Sequence, residues 1–122
     1  MVEIIEKPIP LRIPLEENCS ILLAQLPNRL RYQHFLYQVA NPDQKWAMVK
    51  PILEMAAARG DHFGRTKFVA FPEASIPFRY KDETLQLIQD RFPPSTVVIL
   101  GFEHVFFRQY WQLLSEYRPF NE

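Results

Sequence analysis

Three apolar runs, separated by stretches of helical period, frame this chain. The first, Ser20-Ile21-Leu22-Leu23-Ala24-Gln25-Leu26, is almost unbroken and stops at Pro27. Unbroken branched aliphatics predict a strand buried on both faces, the pattern of a parallel sheet. The second, Lys67-Phe68-Val69-Ala70-Phe71, stops at Pro72. The third, Thr96-Val97-Val98-Ile99-Leu100-Gly101-Phe102, is rich in β-branched residues, which suit an extended backbone.

Between these runs the period changes. Trp46, Val49, Leu53 and Ala56 fall on one helical face. They predict a helix over 44–59, opened by the capping residues Asn41-Pro42-Asp43 and stopped at Gly60. Pro51 lies inside it, has no N–H for the carbonyl of Ala47, and predicts a bend. Leu85, Ile88 and Phe92 predict a second helix over 82–92, ended by Pro93-Pro94. Phe107, Tyr110, Trp111 and Leu114 predict a third over 106–117. Residues 28–40 carry Tyr32, Phe35 and Tyr37 without a clean period and receive no assignment. Residues 6–15 alternate proline with aliphatic side chains, which predicts an extended arm lying on something apolar. The expected organisation is an N-terminal arm over 1–18 followed by one α/β domain over 19–122. Its order, β-α-β-α-β-α, implies a parallel sheet with right-handed crossovers.

Composition narrows the partners. Fourteen basic and fourteen acidic residues cancel, so no long-range field draws in nucleic acid or anionic lipid. The longest apolar run, residues 97–102, is far too short to cross a bilayer. One cysteine excludes an internal disulfide, and the acidic, proline-rich start is unlike a signal peptide. A soluble, cytoplasmic protein is expected. Apolar residues make up 48% of the 122, enough for one packed core.

Glu73 is the candidate catalytic residue. The second strand stops at Pro72, which cannot donate to a ladder, and the next side chain is a carboxylate. It is delivered at the carboxyl end of a strand, the edge where open α/β sheets bind ligands. Cys19 precedes the first strand with no histidine or glycine-rich elbow beside it, and reads as a small buried hydrophobe. His34, His62 and His104 have no metal spacing, so no metal or cofactor is expected, and each histidine reads as a surface or capping residue. Residues 60–66 contain two glycines, but their spacing is wrong for a phosphate loop and they precede a strand. The aromatic group Phe102, Phe106, Phe107, Tyr110 and Trp111 reads as core or as an interface.

The succession of strand ends resembles the carbon–nitrogen hydrolase (nitrilase) superfamily. Members open with an apolar strand ending in Gln, here Ile21-Leu22-Leu23-Ala24-Gln25, followed by a helix with an alanine-rich end, here Ala56-Ala57-Ala58. A strand then runs into Phe-Pro-Glu, here Phe71-Pro72-Glu73. After a second helix, a Val-rich strand ends in Gly near an acidic residue, here Val97-Val98-Ile99-Leu100-Gly101-Phe102-Glu103. The resemblance covers residues 19–103 and only the first part of the family's domain. It implies the N-terminal half of an αββα sandwich and hydrolysis of a small amide or nitrile by a Glu, a Lys and a Cys. The Glu takes the proton of a thiol whose unperturbed pKa is about 8.5. The Lys stabilises the charge on the tetrahedral intermediate.

Glu73 matches the family's base. Its Lys and Cys lie further along the family's chain and have no counterpart here. Lys81 is the only lysine after Glu73, and no cysteine follows. Two readings follow: the leading portion of a longer hydrolase, or a catalytically inactive relative that serves as a binding or scaffold module. An unrelated small α/β domain is the third. The family's next hairpin is also replaced by the helical pattern of 106–117. Half a sandwich leaves one sheet face bare, which predicts a homo-oligomer or a second polypeptide to cover it.

Overall fold

The computed structural model describes residues 20–58 and 66–117. The proline-rich arm, Cys19, His62 and the Gly60 helix stop lie outside the described residues. The elements are β1 (Ser20–Leu23), β2 (Leu30–Gln33), β3 (Leu36–Val39), α1 (Pro42–Ala58), β4 (Thr66–Ala70), α2 (Lys81–Arg91), β5 (Val97–Ile99) and α3 (Phe107–Tyr117). A 3-10 turn, Phe78–Tyr80, leads into α2. The protein is a mixed α/β structure built on a three-stranded parallel sheet ordered β1-β4-β5. Its alternating strands and helices match the expected order, with an antiparallel hairpin, β2–β3, inserted between β1 and α1.

That hairpin lies in residues 28–40, whose aromatics follow no clean period. Its tip is His34-Phe35, with φ of 51° and 63°. Two consecutive positive φ angles make the tight turn that matches strand twist, but the usual Asn-Gly signal is absent. Tyr32 and Tyr37 face each other across the two strands, ring centroids 5.0 Å apart. The Ala40 N–H donates to the Arg29 carbonyl at 2.9 Å and closes the neck.

The core lies on one face of the sheet. Leu22, Val69 and Val98 stand in one row across the three strands and point towards Trp46, Val49, Leu53 and Ala56 of α1. Val49, Leu53 and Val69 are fully buried. Losing one such leucine to alanine costs about 2–5 kcal/mol. The helical face expected of α1 is the one that packs. Asn41 and Pro42 start it, the latter at the position where a missing N–H costs nothing. The helix runs on through Pro51 to Ala58.

In α2 the buried residues are Lys81, Thr84 and Leu87, with the expected Leu85 and Ile88 only half-buried. Thr84 tolerates burial because its hydroxyl donates to the Tyr80 carbonyl at 2.7 Å. Lys81, one residue before the expected 82–92 helix, is the first residue of α2. Lys50 of α1 and Glu83 of α2 meet at 2.8 Å and join the two helices at the surface.

The other sheet face corrects the expectation for β1, which is not buried on both sides. Ile21 is 59% exposed, Leu23 73% and Ile99 53%. Leu23, Ala70 and Ile99 share a row, so the exposure belongs to a face rather than to single side chains. A continuous apolar run records two apolar faces but not whether both are covered by this chain. In α3 the apolar side is likewise open: Phe107 is 73% exposed and Trp111 54%. Among the described residues no helix is long and apolar enough to cross a membrane.

Candidate functional site at the carboxyl end of the central strand

β4 is the middle strand, and Glu73 lies three residues past its end. The Phe71 N–H still reaches the Ile99 carbonyl at 2.9 Å. Pro72 has no N–H to continue the ladder, and the chain swings outward. Ala74 turns it back through a φ of 53°. The Ser75 hydroxyl donates to the Pro72 carbonyl and closes the loop. Pairing then resumes: the Ser75 and Ile76 N–H groups both donate to the Gly101 carbonyl, at 2.8 and 3.0 Å, and Ile76 bridges Phe102. From Ala70 to Ile76 the chain advances six residues while Ile99 to Phe102 advances three. Glu73 therefore sits at the crest of an excursion held at both feet by β5 and its extension, the device by which bulges re-aim a side chain.

The base of the excursion is buried and hydrogen-bonded. Ala74, Ser75 and Ile76 are buried, whereas the Glu73 side chain is 85% exposed. Asn28, from the loop after β1, donates its side-chain N–H to the Glu73 carbonyl at 2.8 Å. The oxygen of the same amide accepts from Lys45 Nζ at 2.6 Å, and Lys45 also donates to the Pro27 carbonyl at 2.9 Å. Lys45 is only 3% exposed, and burial lowers its pKa from the usual lysine value. A buried lysine on α1 thus fixes the orientation of Asn28, which fixes the Glu73 main chain.

His104 is the residue that the sequence did not single out for this place. Its Nε2 lies 3.8 Å from Glu73 Oε1. Its Nδ1 accepts the Tyr37 N–H at 3.3 Å, and its main-chain N–H donates to the Tyr37 carbonyl at 3.2 Å. An accepting Nδ1 in a neutral imidazole puts the proton on Nε2, the nitrogen that faces Glu73. The two rings meet edge-on, centroids 5.7 Å apart. The preceding residue, Glu103, ties the end of β3 to the 3-10 turn: its carboxylate accepts the Val39 N–H at 2.6 Å and the Phe78 N–H at 2.7 Å.

Asn28, Leu30, Tyr37, Glu73, Ala74 and His104 line an open cleft of about 370 Å³. Of the other candidates, His34 occupies the hairpin tip. Lys81 faces a separate depression beside α3, with its Nζ 2.7 Å from Asp82 and 3.3 Å from Glu116. It does not line the Glu73 cleft. No group of three or more potential metal ligands gathers among the described residues. The cleft can hold a proton acceptor against a small ligand, with a second titratable group alongside. Comparison with protein-family models, with curated protein sequences and with solved structures returned no match.

Proposed function

We propose that this chain is the N-terminal portion of a carbon–nitrogen hydrolase of the amidase or nitrilase type, with Glu73 as its general base. The observation that supports this most is the placement of Glu73 on a braced excursion at the carboxyl end of the central parallel strand, beside a cleft. A base must be held still relative to the proton it takes, and here the bracing comes from main-chain bonds and Asn28 rather than from the side chain. An exposed carboxylate becomes a competent base once the rest of the site closes over it and supplies the thiol and the ammonium. The bare sheet face belongs to the same reading, as the inner surface of an αββα sandwich awaiting its second sheet.

The test is the reading frame beyond Glu122. A lysine and then a cysteine at a strand-to-helix turn are expected, and the longer protein should release ammonia from a small amide or nitrile. Glu73→Gln in that protein should lower the rate by about 10²–10⁴-fold. A stop codon after Glu122, with no ammonia from the purified chain, would sink the catalytic reading. The exposed aromatic side of α3 favours a second reading, an inactive module that contacts another protein through Phe107 and Trp111. In that case Trp111→Ala should release a co-purifying partner.

A further inference from the structure

The β2–β3 hairpin contributes two residues, Leu30 and Tyr37, to the cleft that holds Glu73. Tyr37 is fixed there on three counts. Its N–H and carbonyl both bond to His104, its ring meets the imidazole edge-on, and its neighbour across the strands is Tyr32. Leu30 and Ala74 add apolar surface. The cleft's charged group is the Glu73 carboxylate, with no lysine or arginine lining it among the described residues. At about 370 Å³ it stands near the small end of ligand sites, roughly 300–1,000 Å³, which suits one ring with a short substituent rather than a peptide or nucleotide.

We infer that the hairpin sets substrate choice: the cleft takes a small uncharged amide bearing an aromatic or bulky apolar group, packed against Tyr37, and excludes anions through Glu73. The inference rests on the hydrolase reading for the word substrate, but the selectivity is a property of binding and needs no turnover. Two physical terms carry it. An aromatic ring against a fixed aromatic edge gains beyond its buried area. In this chain a ligand carboxylate beside Glu73 meets a like charge, with no lysine or arginine among the described lining residues to offset it.

The experiment is a nitrogen-resolved NMR titration of this chain with benzamide, acetamide and benzoate. Benzamide should shift the amide signals of Tyr37, Ala74 and His104, and should bind about 2- to 10-fold more tightly than acetamide. Benzoate should bind at least about fivefold more weakly than benzamide. Glu73→Gln should remove that penalty. Tyr37→Ala should cancel the preference of benzamide over acetamide, while Tyr37→Phe, which keeps the ring, should retain it and controls for loss of the hairpin. Equal binding of benzoate and benzamide to the native chain overturns the inference. So do shifts confined to α3, or a Tyr37→Ala chain that keeps the preference. The hydrolase reading fails on a different result, the lack of ammonia release by a longer protein, so the two can fall separately.

Discussion

Gly101 and Glu73 are in backbone contact. A β-carbon built on Gly101 would sit 2.6 Å from the Glu73 α-carbon and collide with the Pro72 carbonyl as well. The absence of a side chain on one strand extension is what lets the glutamate-bearing excursion close down on it. Both colliding groups are backbone and cannot swing away. Gly101→Ala should therefore push residues 72–74 outward and destabilise the fold by roughly 1–3 kcal/mol, the usual cost of overpacking. Urea unfolding would measure the loss, and the Ser75 and Ile76 amides should exchange faster with deuterium. An unchanged midpoint with unchanged exchange would show that position 101 has room for a methyl group.

Glu103 holds two backbone N–H groups from elements far apart in sequence, Val39 at the foot of the hairpin and Phe78 in the turn before α2. Removing the carboxylate leaves two donors unsatisfied in a half-buried place. Glu103→Ala is expected to cost more than one charged hydrogen bond, each worth roughly 1.5–3 kcal/mol. Glu103→Gln keeps an acceptor for one donor and should cost less. Amide exchange at Val39 and Phe78 should rise in both variants, and in proportion to the loss of stability.

Burial keeps the pKa of Lys45 below its ordinary 10.5. The folded chain therefore gives up that proton more readily than the unfolded chain does. Between the lowered value and 10.5 the unfolded state binds more protons, so stability rises with pH across that interval and levels off above it. Lys45→Met lacks this slope. The difference in urea midpoint between native and Lys45→Met proteins should move in favour of the native chain as pH climbs towards 10.5. Taking the difference at each pH cancels the titration shared by Lys50 and Tyr80. A difference that stays flat would mean that the amine is hydrated in the fold.

The open sheet face should govern solution behaviour. Ile21, Leu23 and Ile99 stand on one side of a three-stranded sheet, and apolar patches beyond a few hundred Å² are rare on soluble monomers. Expressed as this chain, the protein is expected to associate at micromolar concentration. Leu23→Thr with Ile99→Thr should reduce association without unfolding, since neither side chain belongs to the buried core. Analytical ultracentrifugation separates the outcomes. A dilute native monomer would contradict the expectation.

The three parallel strands were legible as unbroken apolar runs and the three helices as helical spacing, although in α2 the spacing of Leu85 and Ile88 did not mark the residues that are most buried. Trp46, Val49, Leu53 and Ala56 read as a helical face and pack as one. The hairpin was not legible because its turn is His34-Phe35, residues that carry no turn signal and accept positive φ only under tertiary constraint. The burial of Thr84 and Lys81 was hidden for a related reason. Each is satisfied by a particular oxygen, on Tyr80 for the first and on Asp82 and Glu116 for the second, and no periodicity records that. Proline and glycine marked where Glu73 stands, since Pro72 ends the ladder and Gly101 admits the return. The company of Glu73 was not marked. His104 and Asn28 are 31 and 45 positions away in sequence, and only the folded hairpin and loop bring them near.

On the hydrolase reading proposed above, the excursion at residues 72–74 separates the catalytic side chain from what keeps the chain folded. The main chain of Glu73 is engaged, but its side chain stands 85% exposed, with its carboxylate 3.8 Å from the His104 imidazole. On that reading, the side chain could be exchanged with little effect on stability. A chain with the carboxylate and one without it would then melt alike.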